Sequence, residues 1–454
     1  MICGPVISVW ATLASADQQT GKSKPIPGLP RQARYDFQGE LTFIGQDLLP
    51  FRSPYSGPKS LPAGGEAAAT ETATLYLGAR PIPNVEIYAN PELAWGNDPG
   101  SGNGLAGNLN GDLIGQPVSS PAPDLARVFV RWRIPMKQGK DQPVGNEEVG
   151  RAPNVIAGPV PQHRLVVTAG RFAASDIFDF NSYANNPRIQ FINRAFQNGL
   201  AYDYPQDVRG YSYGLAAALV NPHYAVRVGT FAMPAEPGGE VLQYSLSDSH
   251  SEQIEVEIQP QLLRSPKPSS LLRFLIYRNV GNMGSYGAAL DAASDGEPPN
   301  LASVRQQGTV RTGWELNFEQ PLADGGDTGV FARAGTADGS IETAAYAEAD
   351  EAISIGAQLS GVHWKRKSDM VGVALGGSGI SSVHQRYLGA GGQGLSLGDG
   401  NLSYGPEQLA EAYYLYQASK SWQFSVDLQQ VANPGYNCDR GPATAFGIRV
   451  RYAF

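Results

Sequence analysis

No hydrophobic run in this sequence is long enough to make a membrane-spanning helix. Such a helix needs about 18 or more consecutive apolar residues, and the 454 residues contain no such stretch. Charge is also scarce, because charged residues make up 17% of the chain against roughly 25% in typical soluble domains. These two shortages exclude a helical membrane protein and make an ordinary soluble domain a poor fit.

The residues and motifs that usually mark metal sites, cofactor sites and catalytic centres are also rare. The two cysteines, Cys3 and Cys438, belong to no CxxC motif, and no two of the five histidines stand four residues apart. A disulfide framework and a metal site are therefore not predicted. We find no P-loop and no Ser/His/Asp arrangement at a strand end, so no cofactor and no enzyme are predicted. A net charge of −8 without any Lys/Arg-rich run argues against a nucleic-acid partner.

The N-terminus carries an export signal. Residues 1–16 form an apolar stretch that ends in Ala14-Ser15-Ala16, which has the A-x-A form of a secretory cleavage site. The usual positive n-region is missing, which a truncated or misassigned start would explain. We predict a signal peptide over 1–16 and a periplasmic segment over 17–32. The alternative is a buried N-terminal strand.

What the sequence has in abundance is alternation of apolar and polar residues. In the last strand, Ile448 and Val450 fall on one face while Arg449 and Arg451 fall on the other, which is the period-two pattern of a β-strand. The same pattern recurs in about sixteen segments of the length that crosses a bilayer when tilted. These segments are 33–45, 71–81, 85–96, 124–136, 161–173, 210–221, 223–234, 251–263, 268–280, 310–322, 328–339, 353–364, 369–381, 408–420, 422–434 and 443–454.

The polar face of these strands carries charges on nearly every segment. A β-sandwich or a secreted sugar-binding propeller would have to bury its inner face, and charged side chains are almost never fully buried unless paired. A barrel turned inside out removes the conflict, because the apolar face meets lipid and the charged face meets a water-filled lumen. The connectors alternate short and long, as in outer-membrane barrels, except that 137–160 is long on the short-turn side. We therefore predict an all-β, transmembrane antiparallel β-barrel over 33–454.

The inward positions supply the candidate pore lining. Sugar hydroxyls that lose hydration need replacement partners, which charged and amide groups provide, and sugar rings pack on aromatic planes. Because both signs of charge occur in similar number, the lining favours neutral polyols, unless the charges only pair with one another. The predicted lining residues are Glu86, Tyr88, Glu92, Arg127, Arg131, Arg133, Arg227, Glu255, Glu257, Arg273, Glu315, Glu319, Arg333, Glu411, Tyr413, Asp427, Arg449 and Arg451.

The third long connector, at about 174–209, is too long to be a simple turn. It is aromatic and patterned, with apolar residues at helical spacing at Ile189, Ile192 and Phe196, and loops of this length are usually functional or disordered. We predict that it folds into the barrel and narrows it. Its candidate constriction residues, which could equally serve only to anchor the loop, are Asp176, Asp179, Arg188 and Arg194.

Three stretches resemble the carbohydrate-selective porin family, the OprB-like barrels of Gram-negative outer membranes. The stretches are 397–417, 422–454 with its Asn-Pro-Gly-Tyr-Asn and Arg-Gly-Pro strings, and 170–181. The resemblance implies passive sugar uptake through the outer membrane, a constricting loop and a homotrimer, and it is weaker in the first half of the chain. The terminal aromatic Phe454 is similar to the signal read by the barrel-assembly machinery. The predicted partners are thus small sugars, outer-membrane lipid and that machinery.

Two rival functions remain open at the level of sequence. The arginines at 127, 131 and 133 would suit a pore for small anionic solutes such as carboxylates. A barrel-embedded enzyme is the rival from another class.

Overall fold

A computed structural model describes residues 33–113, 118–137, 146–245, 247–260 and 269–454. The predicted signal peptide (1–16) and periplasmic segment (17–32) lie outside the described residues. No described helix is both long and apolar enough to cross a membrane.

About half of the described chain is β-strand, and the alternating pattern lies in these strands. Two short helices, α1 (Tyr286–Ala292) and α2 (Ser382–Gly389), lie in long loops. The strands are β1 (Tyr35–Leu48), β2 (Glu66–Ile82), β3 (Val85–Gly96), β4 (Val118–Pro135), β5 (Asn146–Val149), β6 (Gly158–Pro161), β7 (Arg164–Phe172), β8 (Ser212–Asn221), β9 (Tyr224–Ala232), β10 (His250–Ile258), β11 (Leu271–Met283), β12 (Gln306–Ala323), β13 (Thr328–Ala337), β14 (Glu351–Ser360), β15 (Met370–Gly379), β16 (Glu407–Gln417), β17 (Trp422–Ala432) and β18 (Ala443–Ala453).

Within the described residues, sixteen of these strands form one closed antiparallel barrel. Each strand pairs with its neighbour along the chain, β4 pairs with β7, and β1 pairs with β18 to close the sheet. β5 and β6 form a separate hairpin inside the long β4–β7 connector. Closure leaves no sheet edge, which a strand in hydrocarbon cannot tolerate. The predicted fold class is confirmed, and every predicted strand segment overlaps one barrel strand.

The two faces of the barrel wall are distributed as the alternation predicts. Val130, Val256 and Val426 are exposed on the outer face, while Glu257 and Asp427 on the same strands are buried inside. Charged side chains turn away from lipid because their transfer into hydrocarbon is costly. At the periplasmic end, the tilted rings of Trp422 and Tyr452 pack with their centroids 4.9 Å apart, which is the position of an aromatic girdle.

The connectors between barrel strands differ at the two ends. Long loops follow β1, β3, β7, β9, β11, β13, β15 and β17, and we number them first to eighth in that order. The other end carries mainly shorter connectors and the long β4–β7 connector, and in outer-membrane barrels this end faces the periplasm. The long third loop, residues 173–211, and residues 150–157 of the β4–β7 connector both lie in the lumen, where they position the candidate site.

Candidate functional site

The third loop crosses the lumen and is anchored first on the wall formed by β10 to β13. The Asp179 carboxylate accepts a hydrogen bond from Asn317 Nδ2 at 2.6 Å and pairs with Arg333 Nε at 3.2 Å. Arg333 also donates to loop carbonyls, including that of Ala184 at 2.8 Å. The backbone N–H of Asp179 donates to Glu255 at 2.6 Å. Asp179 has a φ of 53°, a left-handed turn that Asp tolerates better than most residues.

The middle of the loop is anchored on the opposite wall. Arg449 on β18 donates to the carbonyls of Pro187 and Gln190 at 2.5 and 2.7 Å. Glu411 on β16 accepts from the backbone N–H of Ile192 at 2.5 Å. Ile192 is fully buried, as are the predicted apolar partners Ile189 and Phe196, although the loop forms turns and one short 3-10 helix there rather than an α-helix. The third loop therefore spans the lumen from wall to wall.

Arg188 connects the loop to the remaining wall, β1 to β3. Its guanidinium pairs with Glu40 at 2.5 Å, Asp112 at 2.6 Å and Glu92 at 3.0 Å. Arg194, in contrast, lies with its guanidinium carbon 4.3 Å from the centroid of the Tyr346 ring. Arg194 is thus packed within the loop assembly rather than at an open surface.

All eighteen predicted lining residues lie on the inner face, but most are covered. The third loop, the β4–β7 connector and mutual ion pairs leave them at most 6% exposed, so a solute does not reach them in this structure. The covered predicted residues, including two from the loop, are Glu86, Tyr88, Glu92, Arg133, Asp179, Arg194, Arg227, Glu255, Glu257, Arg273, Glu315, Glu319, Arg333, Glu411, Tyr413, Asp427, Arg449 and Arg451.

The ion pairs among these residues explain how the barrel accommodates so much buried charge. Arg227 pairs with Glu255 at 2.6 Å and with Glu257 at 3.1 Å, and Arg273 pairs with Glu257 at 2.8 Å. Tyr88, predicted to offer a sugar its ring, instead stacks on Phe129 with centroids 5.0 Å apart. Charges removed from water are stabilised only by close partners, so these pairs join neighbouring strands of the wall.

Four predicted residues keep more than a tenth of the side chain exposed. These are Arg127 at 17%, Asp176 at 25%, Arg131 at 15% and Arg188 at 11%. Arg127 on β4 binds Asp176 of the third loop in a bidentate pair with two N–O distances of 2.7 Å. Such a pair is geometrically fixed by the planar guanidinium. We call Arg127, Arg131, Asp176, Arg188 and the neighbouring Arg209 the arginine strip.

Arg209 was missed by the sequence reasoning. It lies near the end of the third loop, is 13% exposed and approaches Glu92 to 3.6 Å. A loop has no period from which its direction could be read. Tyr211, two residues further, was missed for the same reason, and its ring lies beneath Arg127 with the guanidinium carbon 5.0 Å from the centroid.

Asp124 was missed because β4 contains a β-bulge. Asn90 pairs with Arg127 and Pro91 with Leu125, so Ala126 is an extra residue on β4. One extra residue shifts the alternation between the two sides of the bulge, so Asp124, which precedes the bulge, points inward opposite Glu92. Asp124 pairs with Arg171 at 2.9 Å. Pro91 within a strand was the available signal, since proline in sheets is confined to edges and bulges.

A closed barrel with an apolar outer face, a charged lumen and a loop folded across that lumen defines a diffusion channel of the bacterial outer membrane. Comparison with known families narrows this class. The chain belongs to the carbohydrate-selective porin, OprB family, whose model matches residues 156–454. It is therefore a porin for passive, carbohydrate-selective diffusion in the outer membrane of a Gram-negative bacterium.

The chain is similar to solved structures of outer-membrane channels at low sequence identity. The high-pH structure of Pseudomonas putida OprB is 14% identical, with 93% of this chain and 94% of that chain covered and a TM-score of 0.66. The outer membrane channel DcaP of Acinetobacter baumannii is 10% identical, with 92% and 97% covered and a TM-score of 0.47. No curated protein matches the sequence.

The family assigns a channel rather than a barrel-embedded enzyme. A G-x-S-x-G spacing, which is typical of serine hydrolases, does occur at 210–214 and 394–398. The Ser212 hydroxyl donates to the carbonyl of Ala232 at 2.7 Å, and the Ser396 hydroxyl donates to that of Leu105 at 3.0 Å. Both hydroxyls thus donate hydrogen bonds to backbone carbonyls and not to a histidine.

Proposed function

We propose that small uncharged sugars cross the barrel along the arginine strip, with the third loop as the constriction. The observation that carries this proposal is the Arg127–Asp176 pair, which joins the barrel wall to the loop and is among the most exposed of the predicted lumen groups. The other predicted lining residues are buried behind the strip and stabilise it without contacting the solute.

The chemistry of the strip suits a neutral polyol. A hydroxyl both donates and accepts hydrogen bonds, so it exchanges its hydration water for the Arg127 guanidinium and the Asp176 carboxylate. Because these two groups neutralise each other at 2.7 Å, the pair offers strong hydrogen-bond partners with little net field. A ring of one charge sign would instead select ions.

The test is the block of ion current by neutral sugars in planar bilayers. Arg127→Gln and Asp176→Asn each remove one charge with little change in size, and we expect both to weaken the sugar block. Their effects on ion selectivity should be opposite, because Arg127→Gln leaves a carboxylate unpaired and favours cations, whereas Asp176→Asn favours anions. Arg386→Met, on the exposed face of α2, is the control. An unchanged sugar block in both variants would contradict this path.

A pore for small anionic solutes is the second candidate for the cargo. It is favoured by one observation, that four of the five residues of the arginine strip are arginines. This candidate predicts a strongly anion-selective reversal potential in the unmodified channel and block by carboxylates at concentrations where neutral sugars do nothing.

We also propose that the barrel assembles as a homotrimer and is inserted by the barrel-assembly machinery. Its lipid-exposed outer face and its membership of a porin family support this proposal. Native mass spectrometry of the protein extracted in mild detergent tests it, with a threefold mass expected and a single-chain mass contradicting the trimer.

A further inference from the structure

The long connector on the periplasmic side forms a second insertion into the lumen. β5 and β6 pair as a hairpin from Asn146 with Pro161 to Val149 with Gly158. The eight residues between the two strands, 150–157, are the hairpin loop. In this loop Ala152, Val155 and Ile156 are at most 1% exposed, although a periplasmic turn would normally face water.

The hairpin loop is bonded to the inner face of four consecutive barrel strands. Gln38 on β1 donates to the carbonyl of Ala152 at 2.8 Å, and Arg80 on β2 donates to that of Ile156 at 3.1 Å. On β3, Asn90 donates to the Asn154 side chain at 3.0 Å, and on β4, Arg131 donates to the carbonyl of Asn154 at 2.9 Å. The segment therefore lies inside the barrel.

The loop reaches well into the barrel. Asn90 is the sixth of the twelve residues of β3, and at roughly 3.3 Å per residue it lies about 16 Å along the strand from the periplasmic end. Gly78, on the inner face of β2, makes room for this depth, because a Cβ there would lie 3.3 Å from Cγ1 of Ile156 and 3.0 Å from the Tyr88 ring.

The third loop and the hairpin loop contact adjacent levels of the same wall. Arg188 of the third loop binds Glu92, and Asn154 of the hairpin loop binds Asn90. These two β3 residues are two positions apart on one face, a separation of roughly 7 Å. A solute that has passed the third loop along β4 therefore meets the hairpin loop next, where Arg131 of the arginine strip is bonded to Asn154.

We propose that residues 150–157 form a second constriction in series with the third loop, one that sets the size limit at the periplasmic exit of the pore. This proposal rests on the path along the arginine strip proposed above. It concerns a segment of which residues 150–155 lie before the part of the chain that the family model matches, 156–454. The Asn154 carbonyl and the Arg131 guanidinium are its specificity-determining groups.

The test measures which neutral polymers enter the channel from each side of a planar bilayer. In the principal variant, 150–157 are replaced by Asn-Gly, the preferred two-residue turn for a hairpin, so that β5 and β6 remain paired. A milder variant, Asn154→Gly, removes only the side chain that binds Asn90, and glycine suits its φ of 59°. Glu148→Gln, on the exposed face of β5, is the matched control.

We expect the shortened hairpin to admit larger polymers from the periplasmic side and to leave the limit from the extracellular side unchanged. Asn154→Gly should shift the periplasmic limit in the same direction by a smaller amount. A Cys3→Ser background leaves Cys438 of the eighth loop, which is exposed, as the thiol whose one-sided labelling reports the orientation of the channel. An unchanged periplasmic limit in folded samples of both variants would overturn the second constriction.

The same recordings separate this inference from the proposed function. If sugars block the unmodified channel but the hairpin variants keep its periplasmic size limit, the arginine strip stands and the second constriction falls. If the periplasmic limit widens but neither Arg127→Gln nor Asp176→Asn changes the sugar block, the second constriction stands as a size filter and the strip falls.

Discussion

Single residues in this lumen act mainly by holding separate elements of the fold together. Arg188 shows this most clearly, because one guanidinium joins carboxylates from β1, the second loop and β3, those of Glu40, Asp112 and Glu92. Burial of any of these charges alone would be costly, and the cost is offset only while the partners stay in place. The position of the third loop therefore depends on the ion cluster around Arg188.

Replacement of Arg188 should release the third loop. Arg188→Met keeps much of the side-chain volume but leaves the three carboxylates short of a cation, and loss of one partner of a buried pair costs about 3–5 kcal/mol. We expect noisier single-channel currents with a larger open conductance, together with a weaker sugar block. Arg386→Met removes an exposed arginine and should change none of these. A quiet channel of unchanged conductance would show that the remaining anchors suffice.

At the residue scale, the period-two pattern predicted well which way a side chain points. It predicted poorly how much of that side chain is exposed. Glu257, Arg333 and Arg451 all point inward as predicted, yet each is at most 3% exposed. Alternation predicts which face of the wall a side chain occupies. Its burial depends on which loops cover that face in the folded barrel. The cover here comes from the third loop and the hairpin loop, whose conformations are fixed by contacts far apart in sequence, such as Arg449 with Pro187.

At the scale of elements, the sixteen barrel strands were predictable because each must present an apolar face to lipid on one side. The predicted segment 85–96 coincides with β3. The strand 118–135 was predicted too short, from 124, because the β-bulge at Ala126 interrupts its alternation. The β5–β6 hairpin was seen only as an unusually long connector, since four-residue strands carry too little pattern to identify.

His384 in the seventh loop binds Asp350 and Glu348 in the sixth loop. We call this group of residues the histidine latch. His384 on α2 has Nδ1 3.0 Å from Asp350 and Nε2 3.2 Å from Glu348, and its ring stacks on Tyr286 of α1 with centroids 4.0 Å apart. Burial alone would lower the pKa of His384, but the hydrogen bonds and charges of Asp350 and Glu348 raise it overall. Burial alone would raise the pKa of Asp350, but His384 and Arg311 lower it to about 2.

The latch should therefore loosen as the solution becomes alkaline. A histidine whose folded pKa is raised stabilises the fold fully below its unfolded pKa of about 6.5, and that stabilisation is lost as pH rises through the folded pKa. The contribution of Asp350 runs the other way, present above its ordinary pKa of 3.8 and lost as pH falls through about 2. We expect protease cleavage within 338–350 and 380–406 to increase as pH rises through that raised pKa.

The control for the latch is His384→Gln, which keeps a polar side chain but does not titrate. This variant should be cleaved more readily than the unmodified protein at pH 6, and its cleavage should not change between pH 6 and pH 9. A pH-dependence equal to that of the unmodified protein would assign the effect to another group.

At the scale of the whole molecule, the fold depends on the pairing of β1 with β18, which closes the barrel. We call this strand pair the seam. The barrel exists only while β1 and β18 stay paired from Glu40 with Ala453 to Leu48 with Ala445, because an open edge would expose backbone groups to hydrocarbon at several kcal/mol each. One ion pair crosses this seam inside the lumen, since Arg451 Nε donates to the Glu40 carboxylate at 2.8 Å. Glu40 also binds Arg188, so the cluster that anchors the third loop also closes the wall.

Arg451→Met should lower the stability of the entire barrel rather than that of one loop. The substitution leaves Glu40 buried with one cation fewer, which costs about 3–5 kcal/mol, and seam opening unpairs both edge strands at once, so unfolding should remain a single cooperative step. The measurement is the temperature at which the compact band converts to the unfolded band on a gel, which we expect to fall. Arg34→Met, at an exposed position just before β1, is the matched substitution and should leave that temperature unchanged. If Arg451→Met altered only current noise and left the unfolding temperature untouched, Glu40 would belong to the third-loop anchor alone, and backbone pairing would account for closure of the seam.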